Sequence, residues 1–206
     1  MKRVLAAYLA AIAAFTIAWF IGFVALRVAA KPIPVALLAV SVARAAPSGP
    51  MRSRLVFGLA LCAVGDWILE TGRFVPGLVA FLVGHLGYVA AFLAVTRALR
   101  PARAVPFLLW GVVAIAWLRS GLGALAVPVA LYTATICTMM WRAVSLLDRE
   151  RPWATSIAIG AVVFAASDTL IAIDKFHAPI HGARVAILAL YWLGQWLIAR
   201  GAMRAA

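Results

Sequence analysis

The chain has 206 residues, of which 67% are hydrophobic and only 12% are charged, and its mean hydropathy is +1.06. An ordinary soluble domain is about half apolar and a quarter charged, so this composition excludes a soluble enzyme, a disordered protein and a fibrous repeat. The net charge of +13 reflects basic residues that lie mainly in loops, where membrane topology and anionic lipid headgroups explain them better than a nucleic-acid partner does.

Apolar runs bounded by charges and helix breakers predict eight membrane-spanning helices. A helix needs about 20 residues to cross the bilayer, so the chain is filled by roughly eight crossings with short loops. The predicted fold class is all-α, a polytopic membrane helix bundle that forms one integral-membrane domain over residues 1–206. In chain order the predicted helices are Val4 to Leu26, Ile33 to Ala45, Leu55 to Leu69, Pro76 to Thr96, Ala104 to Leu118, Leu122 to Leu147, Trp153 to Ile173 and Ala183 to Ala199.

The first predicted helix follows Met1-Lys2-Arg3, as a signal peptide would. Its 23 apolar-rich residues, which include Trp19, exceed the hydrophobic region of a normal signal peptide. We therefore expect it to be a retained helix. The two cysteines, Cys62 and Cys137, lie inside apolar runs and are expected to be small buried hydrophobic residues, without a disulfide.

The basic residues predict the orientation of the bundle. Of the 19 Lys and Arg residues, 13 lie at the termini and in the even-numbered loops. The positive-inside rule therefore places both termini in the cytoplasm, which an even number of spans permits, and the expected location is a bacterial inner membrane. The six basic residues of the odd-numbered loops are Arg27, Lys31, Arg73, Arg119, Lys175 and Arg184.

Two segments 102 residues apart, Phe57 to Phe74 and Ile159 to Phe176, resemble each other. They predict a duplication of four helices, residues 1–100 and 104–206, with both copies running in the same direction. Chance similarity in a chain rich in Ala, Val and Leu is the alternative. The polar matches favour the repeat: Gly58 with Gly160, Gly65-Asp66 with Ser167-Asp168, and Arg73-Phe74 with Lys175-Phe176.

Ionisable side chains inside spans are costly, by about 2.5 to 3.5 kcal/mol on insertion scales, so they indicate a functional site. Several polar residues from separate predicted helices lie in one half of the membrane, and helical spacing lets pairs of them share a face. The alternative is that they pair only to satisfy one another. The predicted catalytic residues are Asp66, Asp168, His85 and Tyr191, and the predicted substrate-binding residues are Lys31, Glu70, Tyr88, Ser167 and Gln195.

His177 and His181 have the spacing of a metal-binding pair, but Pro179 between them breaks the helix that would align them. We expect them to lie in a loop. With His85 as the single histidine inside a predicted span, neither a metal nor another cofactor is expected.

The chain resembles the YhhN family of integral-membrane lysoplasmalogenases. The resemblance runs from about Lys31 to Gln195. The motifs that carry it are Lys31-Pro32, Gly65-Asp66, His85-x-x-Tyr88, Ser167-Asp168 with the following Leu170-x-Ala172, and Tyr191-x-x-x-Gln195. It implies hydrolysis of the vinyl-ether bond of a lysoplasmalogen, which yields a fatty aldehyde and glycerophosphoethanolamine or glycerophosphocholine.

Acid hydrolysis of a vinyl ether begins with protonation at carbon, and a protonated and an ionised carboxyl group can divide the work as they do in glycoside cleavage. We expect Asp66 and Asp168 to meet in one pocket, one as general acid and the other as carboxylate. His85 or Tyr191 would relay protons or orient water, and Lys31, at the outer mouth of its helix, would hold the phosphate.

Other functions remain open at this stage. A small proton-coupled transporter also suits a duplicated bundle with carboxylates inside the membrane. A metal-dependent lipid amidohydrolase, a hydrolase of another lysolipid and a non-catalytic lipid-binding protein are the others. The expected partners are a lysophospholipid substrate and membrane lipid; the sequence does not indicate the oligomeric state.

Overall fold

The computed structural model describes residues 1–148 and 150–205, and Arg149, which was counted for the orientation, lies outside them. Each predicted span falls on a helix over most of its length, and the described residues contain no strand. The all-α prediction is therefore confirmed. The helices are α1 (Lys2–Phe20), α2 (Val24–Ala30), α3 (Ile33–Ala45), α4 (Pro50–Glu70), α5 (Phe74–Val95), α6 (Val105–Leu122), α7 (Ala126–Val144), α8 (Pro152–Phe176) and α9 (Ala183–Met203).

Six helical stretches of the described chain are long and apolar enough to cross a membrane, which identifies an integral membrane protein. The helix α4 is not among them because it carries Arg52, Arg54, Asp66 and Glu70, while α6 and α7 lie in one stretch of 44 residues. The number eight and the fourfold repeat remain predictions. The six stretches are Lys2–Phe20, Val24–Ala45, Phe74–Val95, Pro101–Val144, Pro152–Phe176 and Ala183–Met203.

The predicted boundaries were wrong at the start of the chain. The first helix ends at Phe20 rather than at Leu26, because Gly22 adopts a left-handed conformation with φ of 71° and the Phe23 N–H bonds back to the Ala18 carbonyl. The chain then begins a second helical stretch that runs without a break in helical direction from Val24 to Ala45.

Lys31 consequently lies inside a helical stretch and not at the mouth of one. Pro32 keeps a helical backbone, with φ of −75°, and its carbonyl accepts a hydrogen bond from the Ala36 N–H. The Lys31 N–H in turn donates to the Arg27 carbonyl. The proline therefore continues the helix at its first turn, where the missing N–H costs little, and Lys31 is buried, with 7% of its surface exposed.

The described chain forms two compact units, residues 1–91 and 92–205. In the first unit α1 packs on α3, and α2 and α3 contact α4. In the second unit α8 packs along α9, while α6 and α7 pack against α8. The partners of the Asp on α4 are therefore found on α2 and α3, and those of the Asp on α8 on α7 and α9.

Glycines allow close contact between helices in each unit, as is common in membrane proteins. A Cβ atom on Gly58 of α4 would lie 2.5 Å from the Tyr88 ring and 2.7 Å from the Gly84 carbonyl oxygen on α5. A Cβ atom on Gly160 of α8 would lie 2.8 Å from the Gly194 carbonyl oxygen on α9. The glycines matched in the two similar segments thus each lie against a neighbouring helix backbone.

Buried Arg142, near the end of α7, fixes the connection from α5 to α6. Its guanidinium donates to the carbonyl of Ala98 at 2.8 Å and to that of Thr96. Arg103 donates in the opposite direction, to the carbonyl of Val144 at 2.8 Å. Because the last carbonyls of a helix lack partners within it, these arginines stabilise the end of α7.

Candidate functional site

The first candidate carboxyl group, Asp66, forms an ion pair with Lys31. Its Oδ1 lies 3.6 Å from the Lys31 Nζ, and only 3% of the Asp66 side chain and 8% of the Lys31 side chain are exposed. Two charges buried this deeply are tolerated because they compensate each other. The Lys31 ammonium also lies 5.0 Å from the centre of the Phe15 ring of α1, a cation–π contact.

A second ion pair lies one helical turn away. The Arg27 Nε is 2.6 Å from the Glu70 Oε1. Arg27 and Lys31 are four residues apart on one helix, and Asp66 and Glu70 are four residues apart on another, so the two pairs form adjacent rungs. Sequence analysis counted Arg27 only as a loop residue and missed this role, although the matching four-residue spacings of two bases and two acids were present in the sequence.

The glycine of the Gly65-Asp66 motif leaves space for an aromatic ring. A Cβ atom at Gly65 would lie 2.7 Å from the Phe81 ring of α5. That ring is stacked on His85, with the ring centres 6.2 Å apart, and the fully buried His85 meets Tyr88 edge to face at 5.9 Å. His85 and Tyr88 therefore belong to an aromatic row on α5, and Phe81, in the same row, packs beside Asp66.

The second candidate carboxyl group, Asp168 on α8, has a phenol as its partner. The Tyr132 hydroxyl of α7 donates a hydrogen bond of 2.5 Å to the Asp168 Oδ2. Sequence analysis missed Tyr132, and its position inside an apolar helix was the one available signal. The short contact is typical of a hydroxyl donor and a carboxyl acceptor.

The neighbouring polar residues of this unit hold α8 and α9 together. The Ser167 hydroxyl donates to the Ile187 carbonyl at 2.8 Å. The Tyr191 ring packs edge to face on Phe164, with the ring centres 5.4 Å apart, and Gln195 is fully buried one turn further along α9. Ser167, predicted to bind substrate, therefore already has a backbone partner, while the polar atoms of Tyr191 and Gln195 lie on the buried face of α9.

Within each unit the structure brings several predicted residues together. Lys31 and Asp66 form an ion pair, with Glu70 one turn away, and the predicted meeting of Asp66 with Asp168 stays a prediction. The described residues contain no group of three or more His, Cys, Asp or Glu side chains arranged to hold a metal. His177 and His181 lie in the turn between α8 and α9, as expected, and His177 packs on the Trp117 ring.

Comparison with known families agrees with this arrangement. A profile of the YhhN family matches residues 26–202, which include every residue named above as a predicted site residue. The chain belongs to the YhhN family. The match begins just before Arg27, so most of α1 lies outside the region that defines the family, and no solved structure matches the chain.

Several curated relatives of this YhhN protein are named lysoplasmalogenases. The lysoplasmalogenase of Mycobacterium bovis is 35% identical over 177 residues, which cover 81% of this chain and 66% of that protein. Lysoplasmalogenase TMEM86A of Bos taurus is 34% identical over 165 residues, 75% of this chain and 67% of its own length. Lysoplasmalogenase TMEM86B of Homo sapiens is 30% identical over 190 residues, 91% of this chain and 77% of its own length. The chain thus spans about two thirds of the length of the mycobacterial and bovine relatives.

Proposed function

We propose that this YhhN protein is a membrane lysoplasmalogenase that hydrolyses the vinyl-ether bond of a lysophospholipid within the bilayer. The observation that carries the proposal is the similarity, over most of the chain, to several proteins named lysoplasmalogenase. The buried carboxyl groups of Asp66 and Asp168 supply the acid and base groups that the reaction needs.

The reaction is balanced by one water molecule. A proton adds to the vinyl carbon that is not bonded to oxygen, and the other vinyl carbon becomes part of an oxocarbenium ion. Water adds to that carbon and gives up a proton, which forms a hemiacetal. The hemiacetal then breaks its bond to the glycerol oxygen, which takes a proton, and the products are a fatty aldehyde and a glycerophosphoryl alcohol.

We assign the acid role to Asp168 and the carboxylate role to Asp66. Asp66 lies beside the Lys31 ammonium, which compensates a negative charge. Within its own unit Asp168 has the neutral Tyr132 hydroxyl as its partner, and a lone carboxylate inside an apolar bundle is costly. Asp168 would therefore hold the proton that is delivered to carbon, and Asp66 would stabilise the cation and activate water.

The remaining candidate residues take supporting roles in this proposal. His85 and Tyr191 would relay protons or orient the attacking water. Glu70, Tyr88 and Gln195 would contact the lysolipid, and Ser167 would keep α8 in position through its bond to α9. Lys31, first predicted to bind phosphate, would act as the counter-ion of Asp66.

Isotopic labelling tests the reaction itself. Purified protein in lipid nanodiscs, given a lysoplasmalogen in heavy water, should release a fatty aldehyde with one deuterium at carbon 2, because the proton is added there. In water labelled with oxygen-18, the label should enter the aldehyde and not the glycerol. A protein that moves the lipid without releasing aldehyde would be a carrier, and the proposal would be wrong.

Infrared difference spectroscopy tests the assignment of the two carboxyl groups. A protonated carboxylic acid has a carbonyl stretch that an ionised carboxylate lacks. Asp168→Asn should remove this band from the spectrum of the protein at neutral pH, and Asp66→Asn should leave it in place. Loss of the band in Asp66→Asn alone would reverse the roles.

A further inference from the structure

The two ion pairs of the first unit lead from the end of α4 towards the buried Asp66. Glu70 is the last residue of α4, so the pair of Arg27 with Glu70 lies at the helix end. Side-chain exposure falls from 23% at Arg27 in this outer pair to 3% at Asp66 in the inner pair. The outer pair is thus partly accessible, whereas the inner one is enclosed.

The spacing of the two pairs matches the substrate of the proposed reaction. One helical turn, from Asp66 to Glu70, corresponds to a rise of about 6 Å. Five bonds join the ether oxygen of a lysophospholipid to its phosphorus atom, which is roughly 6 Å in an extended chain of ordinary bond lengths. A lipid with its vinyl ether beside Asp66 therefore places its headgroup at Arg27 and Glu70.

The chemistry of the outer pair is complementary to a zwitterion. A guanidinium group forms paired hydrogen bonds with phosphate oxygens, and a carboxylate attracts an ammonium group. The carbonyls at the end of α4 add negative character near Glu70, which also favours a cation there. Arg27 and Glu70 together are neutral, as is a phosphoethanolamine or phosphocholine headgroup.

We propose that the Arg27–Glu70 pair is the headgroup receptor of the enzyme, with Arg27 bound to the phosphate and Glu70 bound to the ammonium of a zwitterionic lysolipid. The inference rests on the proposed function, because that function supplies the lipid whose vinyl ether lies at Asp66. It assigns Arg27 and Glu70 as specificity-determining residues. The enzyme should then prefer zwitterionic lysolipids to those with an anionic or an uncharged headgroup.

Binding of a lipid that cannot be cleaved tests the receptor separately from catalysis. The probe is a saturated 1-O-alkyl lysophosphoethanolamine, which has no vinyl ether, and its affinity is measured by calorimetry on the full chain in nanodiscs. Arg27→Gln should bind it about tenfold more weakly or worse, because a charge-assisted paired contact is lost. Arg73→Gln removes an exposed arginine in the turn after α4 and is the matched control, with unchanged affinity.

The role of Glu70 is tested by changing the ligand as well as the protein. Glu70→Gln should weaken binding of the ethanolamine probe about tenfold. It should have little effect on the same probe with an N-acetylated ethanolamine, because that headgroup carries no ammonium. Equal loss of affinity for both probes would remove Glu70 from the receptor.

An exchanged pair distinguishes a receptor from a purely structural ion pair. The double variant Arg27→Glu with Glu70→Arg retains an ion pair, so its melting temperature should stay near that of the unchanged protein. Its affinity for the ethanolamine probe should remain low, because the charges now oppose those of the inner pair's neighbouring headgroup site. Full recovery of affinity in the double variant would overturn the inference. Absence of aldehyde release from the unchanged protein, with these binding results intact, would refute the proposed reaction and leave the receptor standing.

Discussion

The two halves of the chain hold their matched aspartates in different ways. Asp66 on α4 lies beside the ammonium of Lys31, whereas Asp168 on α8 accepts a hydrogen bond from the phenol of Tyr132. Both acids occupy the same position in the two similar segments of sequence, and both partners come from a helix earlier in the chain. The similar segments thus share the position of the acid but not the charge around it, which is the difference that a pair of unlike catalytic carboxyl groups requires.

The largest effect is expected when the charged partner is removed. Lys31→Met leaves the Asp66 carboxylate buried without a cation, which should cost about 3 to 5 kcal/mol of stability. The loss should appear as a lower melting temperature in nanodiscs, together with loss of aldehyde release. Adding Asp66→Asn to this variant should restore the melting temperature but not the activity. A stable, active Lys31→Met protein would show that the two halves do not differ in the way described.

Removal of the phenol in the second half should have a smaller effect on stability. Tyr132→Phe deletes one hydrogen bond, worth about 1 kcal/mol, and leaves the ring in place. Asp168 would lose its orientation, so kcat should fall by about tenfold to a hundredfold while KM changes little. Thr135→Val removes an exposed hydroxyl from the same helix and should leave kcat unchanged. A change in KM alone would give Tyr132 a binding role instead.

The smallest effects are expected at the residues that precede the two acids. Gly65→Ala forces the Phe81 ring to move, since the new Cβ would lie 2.7 Å from it, at a cost of about 1 kcal/mol. Ser167→Ala removes the bond to the Ile187 carbonyl, also at a cost of about 1 kcal/mol. Melting temperatures of the two variants would measure both losses. A much larger loss at either position would show that the surrounding helices cannot adjust.

The sequence predicted the helices well because each one is an apolar run that ends at charges or breakers. It also identified Asp66 and Asp168, because a carboxyl group within an apolar run is costly wherever the run lies in the fold. It did not reveal Tyr132 as a partner of Asp168 or Arg27 as a partner of Glu70. Those contacts depend on how each helix is rotated about its axis, and in a chain apolar on every face the residue pattern does not fix that rotation.

The helix boundaries near Lys31 failed for a different reason. Pro32 was read as the head of a helix, although a proline at a first turn is compatible with a helix that continues through it. The true break lies at Gly22, whose left-handed backbone ends α1. As a result Lys31 was expected at a helix mouth near lipid phosphate, whereas it is buried beside Asp66.

The central claim is that both matched acids are needed for vinyl-ether hydrolysis. Its most direct test is aldehyde release, measured by mass spectrometry, from Asp66→Asn, Asp168→Asn and the loop control Asp148→Asn in nanodiscs. Each of the first two variants should remain folded and lose at least about a hundredfold in rate, as expected when an acid or base group is removed, and Asp148→Asn should match the unchanged protein. Near-normal aldehyde release from either Asp66→Asn or Asp168→Asn would contradict the claim.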